Sequence, residues 1–336
     1  MKNSCDFYFL AKDLSVSGIM RPIKKLLKHA RFFSAGDIEL GFYGKVPSDS
    51  HYLYRVKTGE CFIIDNYEYS LAEGGEMMCT LFGRSLEAVL CDRVITGDEF
   101  YSGNVENSIR QLVSRYAIDC ESPIPTLVLG EQIGLEGELL FLGSGKTLSK
   151  RLYDILSLFG LSYKIRCDFE NARLVFELWQ GGDRRWNCPD GCCALLWDKR
   201  GNIADYSYKR SHLPYNRIYV RSSTHTVCYD ISDGKDVREL YFYARDARKG
   251  NMTDSEFKDY LVGVGMEKLA SVNKKATLEI SFDTSAYPKY PSAFDIGDLC
   301  DIIIAPADGV VEGRLAELEE RVSDGQRILK GKFILN

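Results

Sequence analysis

The sequence predicts a β-rich α+β protein with more than one domain. Three observations carry this. The 336 residues are enough for about two to four domains. Both ends of the chain show the period-two alternation of half-buried strands, whereas the middle third switches to helical spacing. Glycine (29) and tyrosine (20) are plentiful, as suits many strands and turns.

The elements follow in order. Residues 1–100 read as strands. Ile19 to Ala30, with Pro22 and several lysines, reads as a bent, solvated connection or a short helix. Asp37 to Tyr43 alternates, Glu60 to Asp65 is a short apolar run, and Tyr67 to Leu71 alternates again. Gly74-Gly75 and the strand Met77 to Phe82 complete a hairpin. Gly83-Arg84 is expected to turn and feed an amphipathic segment ending at Arg93. Asn104 then caps a helix with Val105, Ile109, Leu112, Val113 and Tyr116 on one face, and Pro123 and Pro125 break the chain. Glu138 to Leu142 is a strand. A second helix starts at about Thr147, carries Leu148, Leu152, Ile155, Leu156 and Phe159, and stops at Gly160. Two strands, Ser162 to Cys167 and Arg173 to Leu178, join through Asn171.

Strands return at Asn216 to Val220. Thr253 and Glu256 form a capping box for a helix over about 254–271, whose Gly263 and Gly265 weaken it. Ala276 to Phe282 and Gly297 to Ile304 are strands. Leu315 to Val322 fits helix and strand periods alike, and Asp324-Gly325 favours a terminal hairpin.

Composition excludes some functions. A net charge of −5 argues against a general nucleic-acid binder, which needs a basic face. No run of about 18 apolar residues occurs, so no membrane-spanning helix is expected. The N-terminus has an acid, Asp6, inside its short apolar stretch and does not read as a signal peptide. Eleven cysteines, among them Cys5, Cys61, Cys79, Cys91, Cys120 and Cys167, lie mostly in apolar or strand-like text, the pattern of reduced, buried thiols.

Features that suggest chemistry have plainer explanations. Gly143-Ser144-Gly145-Lys146-Thr147 lies between strand and helix, as a phosphate-binding loop does, but the glycine that pattern needs is Leu140. A turn with Ser144 or Thr147 capping the helix accounts for it. Cys188, Cys192 and Cys193 resemble a zinc knuckle without a partner pair, His212 being the only nearby histidine. Neither His29, His51, His212 nor His225 sits in a nucleophile or zinc motif, and Asp295 and Asp298 read as turn acids. Gly181 to Trp186 reads as a solvated polar loop. No catalytic, cofactor-binding or metal-binding residue is assigned, and the chain reads as a non-enzyme.

Seven segments, in order, resemble the siphophage tail-hub family of ReqiPepy6-like tail proteins. They are Ala35 to Leu40, Phe82 to Arg93, Val105 to Tyr116, Gly145 to Tyr163, Asn216 to Val220, Gly265 to Leu269, and Ile296 to Cys300. Each is weak alone; order and spacing make the case. The family is related to the N-terminal hub part of tail-associated lysins and to baseplate hub proteins of contractile tails.

The resemblance implies two β-barrel-like tube domains with an inserted α+β domain and a small helical insertion. The expected boundaries are 1–100 for the first tube domain and 101–210 for the α+β domain. The second tube domain takes 211–250 and 273–336, and the helical insertion 251–272. The resemblance further implies a structural homotrimer in the virion tail tip or baseplate, made in the bacterial host cytoplasm. It would join a six-fold tail tube or distal tail protein to a central spike or fibre, and meet the tape-measure protein. Stable nucleic-acid binding and membrane insertion are not expected, and acidic side chains of the first and last thirds are expected to line a lumen through which DNA passes. Tail-associated lysins carry an enzyme beyond the hub part. This sequence ends at Asn336, so a cell-wall enzyme is expected on another chain. The alternatives are a carbohydrate- or receptor-binding module, with Trp179, Trp186 and Trp197 as stacking candidates, or a cell-wall hydrolase.

Overall fold

The computed structural model describes residues 7–335 except 21–22, 72–74, 98, 139–140, 144–145, 189–192, 211–213, 235, 274–275, 308 and 324. The first part of the chain forms β1 (Phe7–Leu10), β2 (Val16–Ile19), β3 (Ile23–Arg31), β4 (Asp37–Tyr43), β5 (Tyr52–Arg55), β6 (Cys61–Leu71) and β7 (Met77–Ser85). The middle forms β8 (Glu99–Tyr101), α1 (Val105–Val113), β9 (Leu127–Leu129), β10 (Phe141–Gly143), α2 (Leu148–Leu158), β11 (Ser162–Asp168) and β12 (Arg173–Trp179). Then come β13 (Leu195–Trp197), β14 (Ile203–Lys209), β15 (Arg217–Arg221), β16 (Thr226–Asp230), β17 (Glu239–Tyr243) and α3 (Asp254–Val272). The chain closes with β18 (Thr277–Phe282), β19 (Leu299–Ile303), β20 (Val311–Ser323) and β21 (Gln326–Leu335).

One sheet of 13 strands unites the two ends of the chain, and the molecule is mostly β. Its path is β14-β18-β21-β20-β3-β4-β7-β6-β5-β1-β2, with β19 on β20 and β13 on β19. Every pair along that path is antiparallel. The first half packs a core around Phe7, Phe9, Leu26, Leu40, Phe42 and Leu81. The second half packs its own around Leu278, Ile280, Cys300, Leu315 and Phe333.

Three expectations give way here. Of the stretch expected as a bent connection or short helix, Ile23 to Ala30 lies in β3, a strand between β4 and β20, and residues 21–22 lie outside the described residues. Leu26 and Lys28 are buried on one face, while Lys25 is exposed and bonded to Glu39 at 2.6 Å. A lysine at an inward position hid the alternation. Gly83-Arg84 is strand, not turn, and the segment behind it is a short 3-10 turn, Leu86–Leu90. A Cβ on Gly83 would lie 2.4 Å from the Ile63 carbonyl oxygen, so glycine permits β6 to close in where it bulges between Ile64 and Asn66. The ambiguous Leu315 to Val322 is part of β20, whose register shifts between Leu315 and Glu317. That bulge puts Leu315, Ala316 and Leu318 all inside, which imitates helical spacing.

The middle of the chain builds a core around α1, α2, β11 and β12 that also takes in Leu10, Tyr52, Cys61 and Ile63 of β1, β5 and β6. Asn104 and Thr147 cap the two helices as expected, accepting from the amides of Asn107 and Lys150. Such a cap is worth about 1 kcal/mol. Strands β11 and β12 form the expected hairpin, with β9 added in parallel. Residues 139–140 of the expected Glu138 to Leu142 strand lie outside the described residues, and β10 begins at Phe141.

Strand pairing draws different groups from the boundaries expected. Strands β13 and β14, within 101–210, hydrogen-bond to β19 and β18 of the large sheet. Among the described residues, strands β15–β17, within 211–250, pair only with one another and pack on α3. The capping box of α3 is present, and the helix runs through both glycines. A Cβ on Gly265 would sit 2.9 Å from Val220, so this glycine allows α3 to approach β15.

Candidate functional site

From β14 to β4 the large sheet packs mostly apolar side chains on one face and presents charge on the other, whereas β1, β5 and the start of β6 bury apolar side chains on both faces. Directly opposed residues lie on the same face, so the register defines polar rows. One row runs Ser207–Glu279–Lys332–Glu317–Arg31 across β14, β18, β21, β20 and β3. The next runs Asp205–Ser281–Lys330–Glu319–His29–Asp37–Arg84 and crosses onto β4 and β7. A groove of about 550 Å³ follows these rows.

Short ion pairs fix part of this face. Lys332 reaches Glu317 at 2.9 Å, and Asp37 takes His29 and Arg31, both at 2.6 Å. Burial pushes the Asp37 carboxyl up, but hydrogen bonds from His29 and Arg31 outweigh it and hold it below the usual carboxylate range. Among the described residues, Asp205 and Glu279 form no ion pair. With five carboxylates against Arg31, Lys330, Lys332 and Arg84, the rows lean acidic.

The two halves are joined by a buried charge cluster on the opposite face. Lys28, 2% exposed, lies 2.6 Å from Glu60 and 3.4 Å from Glu320. Glu320, 1% exposed, also takes Arg55 at 3.1 Å and Arg327 at 2.9 Å. Burial raises the Glu320 carboxyl, but the three cations prevail and bring it down to about 2. The cluster ties β3 and β5 to β20 and β21. With its charges mutually engaged, it is suited to holding the halves together.

The remaining singled-out residues take structural places. Lys146 binds Asp154 at 2.8 Å beside the Thr147 cap; Ser144 and Gly145 lie outside the described residues. Asp298 is buried and accepts from the amides of Gly182 and Asp295 and from Arg184 Nε, pinning the loop over 181–186. That loop is therefore anchored, although Trp186 is 73% exposed. Trp179 packs edge-on to Phe32, and Trp197 ends β13. Cys188 is buried; Cys192 and His212 lie outside the described residues. Among the described residues, no group of three or more His, Cys, Asp or Glu side chains is arranged to hold a metal. None of their helices is long and apolar enough to cross a membrane.

Among the described residues the sheet is open along β14, β2 and β13 and along part of β6. Strand β14 pairs only with β18. Beyond its bulge, β6 pairs only with β7, and Tyr67, Tyr69 and Leu71 stand exposed there, Leu71 at 78%. Unpaired amides and carbonyls with exposed apolar side chains form a template for another strand. For the polar face, sequence reasoning expected acidic side chains of the first and last thirds to line a lumen but named none of the residues. Its signal was the charge alternation Lys25, His29, Arg31 and Glu317, Glu319, Arg321, which becomes one face only when β3 and β20 are known to pair.

Comparison with known proteins agrees with this architecture. The structure is similar to a tail protein of Neisseria meningitidis MC58, with a TM-score of 0.61 and 13% identity over 98% of this chain and 96% of the other. It is similar to prophage tail protein gp18 of Listeria monocytogenes, with a TM-score of 0.59 and 10% identity over 98% and 94%. It is also similar to the Escherichia coli c3393 protein, a type VI secretion system component described as resembling T4 tail proteins gp27 and gp5. That match has a TM-score of 0.51 and 9% identity over 94% and 73%. No curated protein sequence matches significantly. The model of the Siphovirus ReqiPepy6 Gp37-like protein family matches residues 52–330. The chain belongs to that family, and its fold is that of the phage tail proteins it resembles.

Proposed function

We propose that this chain is the structural hub of a phage or prophage-derived tail, a homotrimer at the tail tip or baseplate with no enzymatic role. The observation that carries this is the eight-stranded arc from β14 to β6, with one polar face, an open β14 edge and a β6 edge open beyond its bulge. Strand direction alternates along the arc, and eight is even. Head-to-tail addition of copies would therefore set β6 of one copy antiparallel to β14 of the next. Such heterologous contacts close into a ring and remove both edges.

Each copy contributes four strands from its first half and four from its second. Three copies would thus present six similar units to a six-fold tail tube or distal tail protein. In this account the barrel-like halves comprise residues 7–85, and 195–209 with 277–335. The intervening 86–194 and 215–273 are insertions. The acidic rows face the lumen, where they repel DNA and speed its passage. A central spike or fibre is carried below, and the tape-measure protein meets the ring from within the tube. Cryo-electron microscopy of the purified assembly tests this. A three-fold ring with Asp205, Glu279 and Glu317 on the channel wall is expected. A ring with these residues outside, or with a strongly basic channel, overturns it.

A further inference from the structure

Two buried thiols face each other where the first half of the large sheet meets the middle core. Cys61 opens β6, and Cys167 lies near the end of β11. Cys61 is opposed in register by Tyr54 of β5, which is opposed in turn by Tyr8 of β1, so the three side chains leave the sheet on one face. Phe169 follows Cys167 at the two-residue spacing of one strand face. Its ring stacks on Tyr54 with centroids 5.1 Å apart and meets Tyr8 at 6.4 Å. The face that carries Cys61 is thus packed against the face that carries Cys167. Both cysteines belong to one core cluster, both are free thiols, and each is 7% exposed. The Cys61 thiol donates a hydrogen bond to the Cys167 sulfur.

That contact makes the two sulfurs chemically unequal. Burial pushes the Cys61 thiol well up, and the hydrogen bond with Cys167 adds to this. The same bond holds Cys167 below the ordinary thiol range and outweighs its burial. A thiolate is the nucleophile in disulfide exchange, so Cys167 is the sulfur that attacks first. Cys79 and Cys300, also buried, lie in two other cores.

We infer that Cys61 and Cys167 are a disulfide-forming pair, which locks the middle core onto the first half of the sheet when a small-molecule disulfide oxidises it. The Cys167 thiolate attacks one sulfur of the small disulfide, whose S–S bond breaks and releases one thiolate. The Cys61 thiol then gives up its proton and attacks Cys167 in the mixed disulfide, which releases the second thiolate. Two protein thiols lose two electrons, and the small disulfide is reduced to two thiols. The pair stays open in a reducing cytosol and closes in an oxidising medium. The bond closes a loop of about 100 residues, a length at which a crosslink strongly restricts the unfolded chain. Nothing in this step depends on ring formation.

The folded full chain is incubated with oxidised glutathione, blocked with N-ethylmaleimide, digested and mapped by mass spectrometry, beside a sample treated with dithiothreitol. A linked pair of peptides containing Cys61 and Cys167, two hydrogens lighter than their sum and absent after dithiothreitol, is expected as the dominant disulfide. Closure should raise the melting temperature by about 5 °C or more. Cys61→Ser and Cys167→Ser should show no such rise on oxidation. Cys228→Ser, a change at an exposed thiol elsewhere, should leave both the bond and the rise intact. Recovery of both cysteines as maleimide adducts, Cys167 joined only to glutathione, other pairings in equal yield, or a linked chain that melts no higher than the reduced one overturns the inference.

Discussion

Replacing Glu320 by glutamine should cost about 3–5 kcal/mol, the range for breaking a buried ion pair from one side. Glu320 is the acid shared by Lys28, Arg55 and Arg327, so its loss leaves Lys28 and Arg55 sharing Glu60 and takes from Arg327 its carboxylate. The carboxyl lies at about 2 against an ordinary 4.5. At 1.36 kcal/mol per pH unit, that difference is worth about 3 kcal/mol, in agreement with the first figure. A depressed folded-state value means that this stability is fully present above pH 4.5 and is lost as pH falls towards 2. Urea unfolding followed by tryptophan fluorescence reads the loss as a lower midpoint at constant slope. Adding Lys28→Met to Glu320→Gln should recover part of it, because the second change removes a cation the first left exposed to like charge. A Glu320→Gln variant within about 0.5 kcal/mol of the parent at pH 7, or equal losses for both proteins on acidification to pH 2, would refute the reasoning.

Other consequences can be measured directly. Gly83→Ala drives a Cβ against the Ile63 carbonyl and should cost about 1–3 kcal/mol in urea unfolding; an unchanged midpoint would show that β6 can yield there. Leu71→Arg, at an exposed position of the open β6 edge, should leave the melting temperature alone and weaken self-association at least about tenfold, and equal association by both proteins would dissociate that edge from assembly. Lys146→Ala should leave stability within about 0.5 kcal/mol and assembly unchanged; a saturable, magnesium-dependent ATP affinity abolished by this substitution would restore a phosphate-binding role.

Local signals were legible in the sequence, and those that depend on pairing were not. Caps at Asn104, Thr147 and Thr253 are short-range chemistry and appear where their residues predict. The hairpins around residues 72–76 and Asp324-Gly325 follow for the same reason, although residues 72–74 and 324 themselves lie outside the described residues. Strand β3 was misjudged because Lys28 points inward, and only Glu60 and Glu320, distant in sequence, make that tolerable. Strand β20 was ambiguous because its bulge changes the phase of burial midway. An acidic lumen from the first and last thirds was expected, but the residues of the polar face could not be named, since no single strand contains it. It exists because β3 from the start of the chain pairs with β20 from its end.

The central claim is self-assembly into a three-membered ring. Light scattering after size exclusion, from low to high micromolar concentration, tests it most directly, on the chain alone and mixed with its tail-tube protein. The account predicts a species of three times 38.1 kDa, or that trimer seated on the tube. A chain that stays at 38.1 kDa under every one of these conditions contradicts it.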